Sequence, residues 1–245
     1  MPLTNTNAQD LSNPATVQSL GGALLPAIFS PSQLAPLIPL TDDAIRSSSA
    51  RAGARIPVDA PIVEHILAHP PFAQAIQSLG GYRPVRAIVF DKSPDHNWAV
   101  PWHRDIAIAV RERHETPGFG PWSVKDNIPH VQPPPSVLSD MLTARLHLDP
   151  APATNGALKF IPGSHLDIGD EWPQTDPGRG SREPVTLEAN PGDVVLMKPL
   201  TLHASSKSSQ PSHRRIVHIE FAYQPLPEPL AWHTDTIDRC LHYFS

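Results

Sequence analysis

Pro101-Trp102-His103-Arg104-Asp105 sets an imidazole and a carboxylate two residues apart. In an extended strand, side chains at i and i+2 leave the backbone on one side. His103 and Asp105 would then project into the same space and could share one metal ion, while Arg104 faces elsewhere. A chain of 245 residues with 13 histidines also produces such a spacing by chance, and the plain alternative is a surface strand carrying a solvated ion pair. The strand reading extends outward through Trp98 to Pro101 on one side and Ile106 to Val110 on the other. Before it, Val85 to Phe90 is a short apolar run between Pro84 and Asp91-Lys92-Ser93-Pro94, as expected of a buried barrel strand.

Composition narrows the field. The formal net charge is -5 and no Lys/Arg run provides a nucleic-acid footprint, so neither nucleic acid nor a membrane is an expected partner. The lone Cys240 has no internal disulfide partner, and no basic stretch followed by an apolar one opens the chain, so the expected location is cytoplasmic. Thirty-one prolines favour turns and short connections over long helices. Residues 1–18 are polar and expected to be flexible, and 19–245 form one domain whose segment 19–81 is a helical buttress. Within that buttress Ser30-Pro31-Ser32-Gln33 reads as a helix start, and Ala60 to Leu79 as helix interrupted at Pro70-Pro71 and ended by Gly80-Gly81.

Residues 111–135 carry little apolar periodicity and read as a long loop, either a lid or an ordered surface loop; it holds Arg113, Trp122 and Lys125. Thr143 to Asp149 alternates, with Thr143, Arg145, His147 and Asp149 on one face and Ala144, Leu146 and Leu148 on the other. In a barrel clad by helices the apolar face goes outward, which makes Arg145 and His147 cavity candidates; in an open sheet the same polar face would meet water. Asn155-Gly156 is a tight-turn signal before the strand Ala157 to Ile161. Pro162-Gly163-Ser164-His165 is a turn in which His165 serves structure. Residues 166–184 read as a polar surface insertion, and Val185 to Leu187 and Val194 to Met197 as strands leading to His203.

His203 can supply the third ligand of a two-histidine, one-carboxylate face with His103 and Asp105, an arrangement that suits non-haem Fe(II) chemistry with O2. Arg214 begins a strand whose same-face partners are Ile216, His218 and Glu220. A fixed guanidinium can clamp a carboxylate through two parallel hydrogen bonds, which suits a dicarboxylate co-substrate.

Four motifs in order, across about Tyr82 to Gln224, make the chain resemble the phytanoyl-CoA dioxygenase family of Fe(II)- and 2-oxoglutarate-dependent oxygenases. They are Trp102-His103-Arg104-Asp105; Asn155-Gly156-Ala157-Leu158 with Pro162-Gly163-Ser164-His165; Gly192-Asp193-Val194-Val195; and His203-Ala204-Ser205 with Arg214 eleven residues beyond the histidine. The resemblance implies a mostly β fold with flanking helices, a double-stranded β-helix (jelly-roll, cupin-like) barrel. It implies iron on His103, Asp105 and His203, the distal carboxylate of 2-oxoglutarate on Arg214 with Ser205 assisting, and succinate and CO2 as co-products. Arg145 is added as a co-substrate contact from its strand face. The family often has Gln where Arg104 stands, which puts the contacts of that position in question. Asp105 argues against halogenation, which needs a small residue there.

The expected substrate is a small organic metabolite, polar and carboxylate-bearing, hydroxylated or else desaturated or cyclised. Its candidate contacts are Trp98, Trp102, Arg113, Trp122, Lys125, His147 and His218, with Arg145. The competing reading is a cupin-like metal-dependent isomerase or a non-catalytic metal-binding barrel. That reading requires no clamped 2-oxoglutarate, so Arg214 discriminates between the two.

Overall fold

The computed structural model describes residues 11–48 and 53–234. In chain order the elements are α1 (Thr16–Leu20), β1 (Gly22–Leu25), α2 (Pro31–Leu34), α3 (Leu37–Arg46), β2 (Ala54–Ile56), α4 (Pro61–Leu67) and α5 (Pro70–Gln77). There follow β3 (Arg83–Lys92), β4 (Val100–His103), β5 (Ile108–Ala109), β6 (Trp122–Lys125), β7 (Ile128–Val131), α6 (Pro135–Ser139) and β8 (Met141–His147). The last strands are β9 (Leu158–Phe160), β10 (Val185–Leu187), β11 (Val194–Met197), β12 (His203–Ser205) and β13 (Arg214–Ala222).

Local chemistry explains the helical part. Ser30 and Gln33 close a reciprocal capping box at the start of α2, satisfying two backbone donors that the first turn leaves free. Pro70 occupies the first turn of α5, where its missing N–H is harmless, so Pro70-Pro71 divides one apolar periodicity into α4 and α5. Among the described residues no helix is long and apolar enough to cross a membrane.

Two antiparallel sheets make the mostly β, double-stranded β-helix body. The larger runs β1-β11-β8-β13-β3-β2 and the smaller β10-β9-β12-β4. Strand alternation sorts the larger sheet. Leu142, Ala144 and Leu146 of β8 and Val217, Ile219 and Phe221 of β13 pack outward with Ile62, Ile66, Phe72 and Ile76 of α4 and α5. Each fully buried side chain of that kind contributes ~1.5–3 kcal/mol. The opposite face, with Arg145, His218 and Arg214, turns into the space between the sheets.

Four expectations are corrected. Residues 1–10 and Cys240 lie outside the described residues, but the chain is built into the fold well before residue 19: Leu24 donates to the carbonyl of Leu11 at 2.8 Å and Val17 is fully buried. The strand Ile106 to Val110 shortens to β5, because the chain turns after His103 as Arg104 is drawn into the interior. Residues 111–135 are not structureless: β6 and β7 form a hairpin that joins β5, and its turn residues Asp126 and Asn127 both have positive φ, 52° and 61°. That geometry matches a two-residue turn of the mirror-image type, which favours Asp and Asn. Finally, Asp149 leaves the polar face of β8, which ends at His147, and binds Arg215 through Nε at 2.7 Å.

Arg215 also reaches Asp42 of α3 at 3.1 Å, so this pair ties helix to sheet. Burial alone would raise the Asp149 carboxyl, but the hydrogen bonds and charge of Arg215 hold it below its ordinary value of 3.8. A carboxyl depressed in the folded state contributes stability that is full above its unfolded value, ~3.9, and lost as pH falls through the folded one. Urea titrations of wild type and Asp149→Asn between pH 6 and ~2 should therefore converge on acidification; a gap that does not vary with pH would sink the assignment.

Candidate metal centre

His103 and His203 come together because β4 and β12 are neighbours in the smaller sheet, with the two residues paired directly across the ladder. Their ring centroids are 4.2 Å apart. Asp105 lies beyond the end of β4 and is held by its backbone N–H, which donates to the carbonyl of Pro199 at 3.0 Å. Its carboxylate oxygens approach His103 Nε2 at 3.7 Å and His203 Nε2 at 3.8 Å, and one ligand atom from each of the three lies within 4.8 Å of the others. The pair thus meets through a turn rather than through strand alternation.

Backbone carbonyls fix the ring nitrogens. His103 Nδ1 donates to Pro101 O at 2.9 Å and His203 Nδ1 to Thr201 O at 2.8 Å, so each ring turns its Nε2 towards Asp105. Burial pushes His203 down to about 4 against the opposing charge of Asp105, which keeps it neutral near pH 7. Burial would raise Asp105, but His203, His218, His103 and Arg86 hold it below its ordinary value. Two imidazoles and one carboxylate on one face fit a divalent ion with open positions.

Arg104 does not enter this cavity. Its side chain is 1% exposed, donates to Ser164 O at 2.7 Å and to Leu200 O, and pairs with Asp176 at 2.9 Å. It fastens the ligand segment and residues 166–184 from behind, which explains how a long cation replaces a neutral side chain between two ligands.

The cavity at the centre has a volume of about 250 Å³ and is walled by Arg86, Trp98, Arg145, Arg214 and His218 around the three candidate ligands. Glu220 is buried, pairs with Arg86 and lies 3.4 Å from His218 Nε2; these two neighbours outweigh burial and keep it ionised. The remaining cations are unanswered. Arg145 and Arg214 each bury an Nε with no partner, and among the described residues no carboxylate pairs with Arg145, Arg214 or Lys92. Arg214 donates to Gly156 O, Ser205 Oγ donates to the same carbonyl at 2.8 Å, and Lys92 Nζ donates to Ser205 Oγ at 2.8 Å. Gly156 makes this cluster possible: its φ is 68°, and a Cβ there would lie 2.7 Å from Ser206 O.

The sequence-derived residues divide accordingly. His103, Asp105, His203, Arg145, Arg214, Ser205, Trp98 and His218 share the cavity. His147 is buried beside it with both ring nitrogens unpartnered, pushed down to about 3 by burial, Arg145 and Arg214. Trp102 points away and is 39% exposed. Arg113 pairs with Glu115 on the surface at 2.8 Å and lies over the Trp122 ring, whose own packing is with the apolar cluster beneath the hairpin. Lys125 is exposed on that hairpin. Lys92 and Arg86 were missed, and the alternation Arg86, Ile88, Phe90, Lys92 along β3 was the available signal; Glu220 lies where the strand face of Arg214 and His218 placed it.

The sequence model of the phytanoyl-CoA dioxygenase (PhyH) family matches residues 40–216. No curated protein matches the chain in sequence. Among solved structures, the epimerase SnoN in complex with Fe3+, alpha ketoglutarate and nogalamycin RO is similar at 19% identity, over 93% of this chain and 90% of that one, with a TM-score of 0.64. The non-heme alpha ketoglutarate dependent carbocyclase SnoK from nogalamycin biosynthesis shares 15% identity over 98% and 92%, TM-score 0.63. AviO1 from Streptomyces viridochromogenes Tue57 shares 20% over 92% and 99%, TM-score 0.61. At these identities the likeness establishes the double-stranded β-helix fold.

Burial, then Arg214 and Arg145, push the Lys92 ammonium down to about 8. A lysine depressed in the folded state costs most stability below that value, and the cost is relieved as pH rises towards the unfolded ~10.4. Wild type should therefore gain unfolding free energy relative to Lys92→Met between pH 8 and 10. Lys198, similarly depressed, is common to both proteins and cancels. Parallel pH profiles for the two would show that Lys92 is not the buried cation inferred.

Proposed function

Because the chain belongs to the phytanoyl-CoA dioxygenase family, we propose that it is a non-haem Fe(II)- and 2-oxoglutarate-dependent oxygenase that hydroxylates a small organic molecule. The observation that carries this reading is the pairing of a two-histidine, one-carboxylate face with three buried cations that have no carboxylate of their own. An unpaired buried charge costs several kcal/mol, so a cavity lined by two such guanidiniums, Arg145 and Arg214, with Lys92 behind Ser205, is built to receive an anion. A five-carbon dicarboxylate provides one.

On this reading His103 Nε2, His203 Nε2 and an Asp105 oxygen hold iron. Arg214 takes the distal carboxylate of 2-oxoglutarate, with the Ser205 hydroxyl beside it and Lys92 fixing that hydroxyl. Arg145 faces the portion nearer the metal, since its charge is felt by Asp105. Iron with 2-oxoglutarate and O2 supplies, when bound, an oxidant for an unactivated C–H bond, with succinate and CO2 released. The chain's part is to align the substrate and exclude water, through the apolar walls of Ile88, Phe90 and Leu158. Desaturation or ring closure would use the same apparatus with a different substrate placement. A cupin-like isomerase or a non-catalytic metal barrel leaves Arg145, Arg214 and Lys92 without a purpose.

The test is spectroscopic. Metal-stripped protein given Fe(II) and 2-oxoglutarate without oxygen should develop a weak visible charge-transfer band. Asp105→Ala and His203→Ala should lose it, and Arg214→Ala should require at least ~10-fold more 2-oxoglutarate, the equivalent of one charge-assisted contact of ~1.5–3 kcal/mol. Wild type that binds iron without forming the band would overturn the oxygenase reading.

A further inference from the structure

Next to the metal cavity lies a larger one, of about 720 Å³, bounded by the edge strand β2, the C-terminal end of α3 and the β6–β7 hairpin. The two share the side chain of Arg86. Size separates their occupants. A drug-sized ligand needs a cleft of ~300–1,000 Å³, so about 250 Å³ beside the metal cannot hold one together with a dicarboxylate, whereas 720 Å³ can.

Charge separates them as well. Arg145 and Arg214 of the metal cavity have no carboxylate, but among the described residues each formally charged side chain on the wall of the larger cavity has a partner: Arg55 pairs with Asp126, and Arg86 with Glu220. His130 donates Nδ1–H to Ile128 O at 2.9 Å, and burial pushes it down to about 4, so it is neutral near pH 7. Lys125, the other cation of the hairpin, does not line this wall; it stands at its margin, where partial burial and then the charges of Arg86 and Arg55 lower its pKa. Elsewhere the wall is apolar at Ile56, Pro57, Val85 and Ile128 and carries hydrogen-bonding groups at Ser47, Ser48, Asn127, His233 and Thr234.

We propose that this second cavity receives the molecule to be oxidised, and that this molecule is uncharged and partly apolar, of drug size, carrying hydroxyl or carbonyl groups rather than a carboxylate. A carboxylate entering here would compete for Arg55 or Arg86 and strand Asp126 or the buried Glu220 without its cation, a penalty that a neutral ligand avoids. The expectation of a carboxylate-bearing substrate rested on cations that the fold sends elsewhere: Arg145 to the metal cavity, Arg113 and Lys125 to the surface. The shared Arg86, held by Glu220, stands where the substrate passes towards the metal. The proposal rests on the oxygenase reading for what happens to the occupant, and not for whether it binds.

The experiment is ligand-observed saturation-transfer NMR on metal-free protein with saturating 2-oxoglutarate, using matched sets of aryl and cyclohexyl carboxylic acids, their primary amides and their primary alcohols. Only signal removed by Ala44→Trp or Ser47→Trp, which narrow the cavity from α3 and its C-cap, is counted. Amides and alcohols should show a counted signal at least severalfold above that of their acids. Acids that match or exceed them, or the absence of any signal sensitive to both tryptophans, would overturn the proposal while leaving the visible-band test of the oxygenase untouched. Counted binding of neutral fragments in a protein that forms no Fe(II)–2-oxoglutarate band would remove the oxygenase reading, and with it the occupant's role as substrate.

Discussion

Positive charge held in the interior without a matching carboxylate is the constraint around which this protein is arranged. Moving a guanidinium from water into a protein interior costs several kcal/mol even after relaxation. Arg145 and Arg214 bear that cost on two neighbouring strands, with Lys92 on a third. The fold tolerates it because the other face of the same sheet is packed against helices by Leu142, Leu146, Ile219 and Phe221. Strand alternation makes these two facts one: the residues that stabilise the sheet and the residues that charge its interior are successive positions of the same chain.

The candidate ligands depend on a different economy. Neither His103 nor His203 is oriented by a carboxylate; each uses a backbone carbonyl two residues earlier, Pro101 and Thr201. A carbonyl can only accept, so each bond assigns the proton to Nδ1 and leaves Nε2 for a metal. Asp105 then has no competing hydrogen-bond partner on the histidine side. Its position is set from behind by Arg104, whose bonds to Ser164 O, Leu200 O and Asp176 join the ligand turn to the insertion at 166–184. The arginine between two ligands is thus part of the scaffold that aims them.

The two cavities divide the chemical labour by charge. One is small, cationic and beside the ligands; the other is larger, balanced and behind Arg86. Glu220 matters to both, because it neutralises Arg86 where the cavities meet and lies near His218 on the metal side. Without that carboxylate Arg86 would be unpaired on the wall of both cavities, and the larger would attract anions as the smaller does.

Local periodicity determined a good deal of this. The capping chemistry at Ser30, the break at Pro70-Pro71, the outward and inward faces of β8 and β13, and the four ordered motifs were legible in the sequence, because each depends on residues a few positions apart. Arg145, Arg214 and His218 were reachable for that reason. What the sequence left open was which faces oppose each other and where a polar side chain ends. Nor did it show that Arg113 would pair with Glu115 in the segment before β6, or that Lys125 would sit at the turn of a hairpin closed by Asp126-Asn127. Lys92 looked like turn chemistry, yet the length of β3 buries it against Ser205. Asp105 reaches the histidines through a turn set by the burial of Arg104, not by the strand that its spacing suggested. Alternation fixes the side of a strand a residue occupies; only the pairing of strands far apart in the chain decides what stands across from it, and that is a matter of packing that no local spacing encodes.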